Sequence, residues 1–147
     1  MAAELLLALH VAAGSVALVA GPVAYLNRRR RAPAMRLYFA AVVGVAATAL
    51  GLVGAHAGRL WWLAPLALLT AALAQLGRSA GRPSGASRAR AAAHGWGGSY
   101  IALVTALTVV SISAAAVSWI LPTVIGVALI ELHVRHGARL PDAAAPH

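Results

Sequence analysis

From Gly98 to Ile130 the chain carries no charged residue. A single helix over that stretch would be about 50 Å long, far more than the roughly 30 Å of hydrocarbon in a bilayer. The run therefore has to double back. Ser111, Ser113, Ser118 and Trp119 mark the turn, which would place Pro122 in the first turn of the following helix, where a missing N–H is tolerated. Three further apolar runs stand upstream. The expected spans are Leu5 to Leu26, Leu37 to about Ala57, Leu60 to Leu76, Gly98 to about Ala116, and Trp119 to about Val134. The sequence thus predicts one all-α domain over residues 1–147, a polytopic membrane helix bundle of about five transmembrane helices.

Composition agrees, since 61% of residues are hydrophobic and 10% charged, whereas an ordinary soluble domain has about a quarter of its residues charged. All 12 basic residues are arginines, and they cluster between the apolar runs. That segregation argues against nucleic acid as a partner despite a net charge of +9, because a nucleic-acid domain spreads its arginines over a folded polar face. The bilayer, with anionic headgroups at the arginine-rich loops, is the expected partner, and oligomerisation is compatible with it. Arg28, Arg29, Arg30, Arg31 and Arg36 follow the first span, and Arg78, Arg82, Arg88 and Arg90 follow the third. These segments, with Arg135 and Arg139, should be cytoplasmic, and Arg59 and the N-terminus outside. Residues 77–93, rich in Gly, Ser, Arg and Pro, read as a mobile loop, and 137–147 as a disordered tail. Glu4 with no preceding basic residue makes the first run a retained helix rather than a cleaved signal.

Tyr25, Tyr38, Trp96 and Tyr100 fall near cytoplasmic span ends, and Trp61, Trp62 and Trp119 near outer ones, as interfacial aromatics do. Small residues mark expected helix contacts. On the first span His10, Gly14, Ala17 and Gly21 share one stripe, and on the second Gly44, Thr48, Gly51 and Ala55 do. On the fourth, His94, Gly98, Thr105 and Thr108 lie within about 80° of one another at 100° per residue. His10 and His94 are the candidate ligand or proton-relay residues, against a structural use as hydrogen-bonding imidazoles. His56 lies off its helix's small stripe and reads as a rim residue. Glu131, the acid within an apolar span, either pairs with Arg135 at i+4 or joins His94 in a cytoplasmic-side cluster.

The segments LHVAAGSVALVAGPVAYL, RLYFAAVVGVAA and AAHGWGGSYIALVTALTVVSISAAAVSWILPTVIGVALI resemble a family of uncharacterised multi-pass bacterial membrane proteins, domain of unknown function 2306. His10, His94, Ser99, Tyr100 and Pro122 are the matching positions. Arg31 and Ala32 stand where members of that family often have His-Arg. The resemblance implies a multi-pass protein of the bacterial inner membrane and supplies no activity, with Ser99 and Tyr100 added to the residues to examine. No catalytic signature is present, and the absence of cysteine removes thiolate metal sites and Cys nucleophiles. The expectation is a non-enzymatic membrane protein with no catalytic residues, no metal and no obligate cofactor. Two alternatives stay open. One is a haem-b electron carrier using paired histidines, and the other a proton- or small-solute transporter.

Overall fold

The computed structural model describes residues 1–27, 29, 31–56, 61–80, 86–111 and 116–139. It is an all-α bundle of five helices: α1 Ala2–Leu26, α2 Arg31–Ala55, α3 Leu63–Ala80, α4 Ala86–Ser111 and α5 Ala116–Arg139. Successive helices are antiparallel. Leu6 meets Gly51 while Ala13 meets Gly44, so α1 and α2 run in opposite directions. Gly98 against Leu73 and Trp96 against Gly77 set α4 against α3, and Gly97 against Ile130 with Ile101 against Gly126 set α5 against α4. Besides α3 and α5, α4 touches α1 and Tyr38 of α2. It is the central helix.

The bundle is inside out by the standards of a soluble protein. Val19 is 66% exposed and Ile120 59%, with Leu7, Val11, Val124 and Leu129 similarly outward. The buried set is instead dominated by alanine, including Ala17, Ala20, Ala24, Ala41, Ala46 and Ala74. Large apolar side chains outward and small ones inward are what lipid as solvent demands, because helices gain by close packing rather than by hiding leucines. Ala2–Leu26, Arg31–Ala55, Leu63–Ala80 and Val117–His136 are long and apolar enough to cross a membrane. The central helix falls short of that apolarity because its first half is ASRARAAAHGWGG. Covered by neighbours on several sides, it has less need of a lipid-facing surface.

Helix ends depart from the expected ones: α3 starts at Leu63 rather than Leu60 and α2 stops at Ala55, while at the arginine-rich end the helices run on. The segment 77–93, expected as a mobile loop, is helical over 77–80 and 86–93, with residues 81–85 outside the described set. Alanine and arginine are among the best helix formers, so ASRARAAAH extends the helix beyond the hydrocarbon despite its charge. Similarly α2 begins at Arg31, six residues before Leu37. The α5 helix starts at Ala116, so Ser118 and Trp119 are helical rather than turn residues, and Pro122 lies inside the helix instead of in its first turn. Ser113 lies outside the described residues, as do residues 57–60, with Arg59. Of the expected tail, 137–139 continue α5 and 140–147 are outside the described set.

The tightest helix contact is between α3 and α4. A Cβ built on Gly95 would collide with the backbone nitrogen and Cα of Gly77, and would lie 2.8 Å from the Leu73 carbonyl oxygen. Backbone cannot yield there as a flexible side chain could. Gly54 on α2 has nothing within 4 Å of its Cβ position. Gly95→Ala is therefore expected to lower the melting temperature of the detergent-purified protein, whereas Gly54→Ala leaves it unchanged or raises it through helix propensity. Equal destabilisation by both would refute the backbone contact.

Candidate functional site at the arginine-rich end

Pro22 stands inside α1 and has no N–H for the carbonyl of Leu18, which would otherwise accept the i+4 bond. In hydrocarbon such a carbonyl needs a donor from within the protein. Tyr100 of α4 provides it, its hydroxyl donating to the Leu18 oxygen at 3.3 Å. Gly21 makes the approach possible, since a Cβ there would come within 2.8 Å of the Tyr100 ring. The neighbouring residue on α4, Ser99, is fully buried. Its hydroxyl donates to the Trp96 carbonyl at 2.9 Å, so at 2.8 Å from the Tyr38 hydroxyl it acts as acceptor and Tyr38 as donor. Trp96 stands edge-on to Tyr38, ring centroids 5.5 Å apart, and is admitted to α3 by Gly77.

These rings and the Gly21–Pro22 step line a half-open cavity of about 350 Å³. Its wall comes from α1 (Gly21, Pro22, Tyr25, Leu26), α2 (Met35, Tyr38) and α4 (Trp96, Gly97, Tyr100), and is nearly all apolar. Tyr38 had been expected as an interfacial anchor with its ring among headgroups. At 2% exposed it points inward, whereas Tyr25 at 64% and Trp61 at 67% are placed as interfacial aromatics are.

Beside the cavity, His94 joins α4 to α5. Its Nδ1 lies 2.9 Å from the carbonyl oxygen of Arg90, which can only accept, so Nδ1 carries a proton. Its Nε2 is 3.0 Å from Glu131 Oε1. With Nδ1 already a donor, that second bond requires one further proton, held as imidazolium on His94 or as carboxylic acid on Glu131. Arg135 Nε is 3.9 Å from the other carboxylate oxygen. Glu131 thus serves both partners weighed for it, with the histidine closer. His94 stands in the arginine-bearing first half of α4, and the Arg90 carbonyl, followed by the Glu131 carboxylate, raises its pKa above the ordinary 6.5. His133 points away from this pair, its Nδ1 3.1 Å from the Tyr25 hydroxyl on α1.

His10 lies elsewhere, in the α1–α2 contact. Its Nδ1 is 3.2 Å from the Val45 carbonyl and 3.0 Å from Thr48 Oγ1, and the Thr48 hydroxyl donates to the Gly44 carbonyl at 2.7 Å. The two small-residue stripes meet in part: His10 is bonded to Val45 and Thr48, Gly14 faces Val45 and Gly44 faces Ala13, whereas Gly21 faces Tyr100 of α4 and Ala55 is exposed. His56, exposed, turns back to its own helix at Leu52. A bis-histidine haem needs two imidazoles facing one space, and these do not converge. His10 packs level with Thr48, and His56 lies eight residues further along α2, about 12 Å by helical rise. His94 faces Glu131 while His133 faces Tyr25, and the cavity has no histidine in its wall. Among the described residues no group of three His, Asp or Glu side chains is placed to hold a metal.

No family model matches this chain, and no curated protein or solved structure does either. Of the residues singled out from sequence, Ser99, Tyr100, His94 and Glu131 gather at one end, and His10 does not join them. Gly21, Pro22, Tyr38, Trp96, Gly77 and Gly95 were not singled out for this site. The signal for them is the run HGWGGSY, in which three glycines flank aromatics within one helix and so imply backbone approach on several sides.

The hydroxyl chain predicts an asymmetry. Tyr38→Phe leaves Ser99 bonded to Trp96 and should cost about 1 kcal/mol, whereas Ser99→Ala strands the buried Tyr38 hydroxyl and should cost about 1–3 kcal/mol. Unfolding of the two single variants and the double variant in detergent checks this, and the double should lose less than the sum. For His94 the raised pKa means its contribution is fully present below the ordinary histidine value and is lost as pH rises through the raised one. The melting temperatures of the parent and His94→Ala should differ most in mild acid and converge in the alkaline range.

Proposed function

We propose that the chain is a multi-pass, non-enzymatic protein of the bacterial inner membrane that holds a small apolar solute in the cavity between α1, α2 and α4. All five helices cross in this reading, with the N-terminus outside and the arginine-rich end, including the C-terminus, in the cytoplasm. What supports the topology is the arginine distribution and the antiparallel order of the helices. What supports the lineage is the resemblance to domain of unknown function 2306. The observation that carries the binding reading is the cavity itself. Its walls are set before any ligand arrives by the Tyr100–Leu18 and Tyr38–Ser99 bonds, and preformed apolar pockets edged by a few polar groups are the usual form of small-molecule sites.

A second reading, proton-coupled movement of the solute, is favoured by the proton that His94 and Glu131 must share. It predicts that His94→Ala abolishes coupling without abolishing binding.

The test uses an alkyl diazirine as photoprobe on the parent protein in nanodiscs, with peptide mapping. Saturable labelling is expected within residues 21–26 and 96–100, and Met35→Trp, which fills the cavity from its half-buried lip, should remove it while labelling of outward residues such as Val11 persists. Labelling that does not saturate, or that Met35→Trp leaves intact, would sink the reading.

A further inference from the structure

The cavity's lip and the arginines stand on the same chain segments. Leu26 ends α1 and lines the cavity, with Arg29 three residues on. Met35 lines it from α2, and Arg31 lies one turn before it, about 6 Å further along the axis by helical rise. Arg29 and Arg31 are exposed. The described ion pairs engage neither of them, because Glu4 is taken by the terminal amine at the opposite end of α1 and Glu131 by His94 and Arg135. The remaining acid, Asp142, lies outside the described residues. Twelve arginines against three acids leave this end needing anions from elsewhere.

An apolar slot therefore opens beneath a cationic rim. The slot's length of apolar wall and the rim's charge match the two ends of one amphiphile. We infer that the cavity is the chain-binding half of a site for an anionic phospholipid of the cytoplasmic leaflet, its phosphate held by Arg29 and Arg31 and one acyl chain lying against Tyr38, Trp96 and Tyr100. This rests on the reading of the cavity as a site for an apolar solute, and adds what that solute is. Tyr25, at the edge of the cavity and bonded to His133, sits at the depth where a phenol meets the glycerol region. The neutral cavity wall gives no reason to choose among chains, so selectivity lies in the headgroup. An arginine near an anionic surface contributes roughly a fivefold preference.

The experiment is native mass spectrometry of the full chain released from detergent containing equal phosphatidylglycerol and phosphatidylcholine, with the same lipids brominated on the acyl chains used to quench Trp96 in a Trp61→Phe, Trp62→Phe, Trp119→Phe background. The parent should retain phosphatidylglycerol in several-fold preference and show saturable quenching by it. Arg29→Gln with Arg31→Gln should bring the two lipids level, Met35→Trp should remove retention, and Met35→Phe, which narrows the lip while leaving Trp96 the single fluorophore, should weaken quenching. If the two lipids bind equally in the parent and Met35→Trp still removes them, the headgroup assignment is overturned while the apolar cavity stands. If anionic lipid is retained through the arginines but Met35→Trp leaves retention and Met35→Phe leaves quenching unchanged, the cavity does not hold its chain and the inference fails. If neither lipid is retained or quenches, the inference fails, and the apolar-solute reading is decided by the saturable diazirine labelling.

Discussion

A carbonyl deprived of its helical partner inside hydrocarbon has to find a donor in the protein, and much of the architecture at the arginine-rich end follows from that one need. Pro22 creates the vacancy at Leu18. The donor has to come from another helix, so α4 must lie close enough for Tyr100 to reach, and α1 must have no side chain at Gly21 in the way. Once Tyr100 is fixed, Ser99 beside it is turned toward α2, where it receives the Tyr38 hydroxyl. The Tyr38 ring then braces Trp96, and Trp96 is accommodated by Gly77 on α3. Four helices are thus tied together by a proline that a soluble helix would merely bend around.

How far this was visible in the sequence depends on the kind of force involved. The apolar runs set the number of helices and their antiparallel order, because hydrophobic length is a property of composition. The two small-residue stripes of α1 and α2 were likewise legible, since helical spacing alone puts His10 opposite a partner face. Helix ends were not, because a bilayer bounds the apolar segment and not the helix, and Ala-Arg sequences continue the helix into water. Tyr38 and Trp96 were misplaced for a related reason. An aromatic near a span end fits an interface equally well whether it faces headgroups or a neighbouring helix, and only the glycines on the opposite helix decide. For Glu131, sequence offered Arg135 or His94 as alternatives. The carboxylate has two oxygens, and each helix supplies one partner.

The charges divide into two populations with different consequences. His94, Glu131 and Arg135 form a local set in which one proton is shared, so this contact between α4 and α5 varies with pH in the range where histidine titrates. The arginines of the α1–α2 connection have no such set of acids. Of these, Arg29 and Arg31 are exposed, and their charge does not vary over the range in which histidine titrates. His10 belongs to neither population. Bonded to Thr48 and Val45, it ties α1 to α2 at one end of the bundle, as the Tyr100–Leu18 bond ties α1 to α4 at the other.

At Gly77–Gly95 α3 and α4 meet backbone to backbone, and α1 is held to α2 by the His10 bonds to Val45 and Thr48. The seam between the two pairs is made largely by side chains of α2, α3 and α4: Tyr38 on Ser99, the Tyr100 hydroxyl on the Leu18 carbonyl, and the Arg78 guanidinium 4.5 Å above the Phe39 ring. The cavity straddles that seam. Its wall is divided between the two pairs, so its width is set by how α4 sits against α1 and α2 rather than by the fold of any single helix.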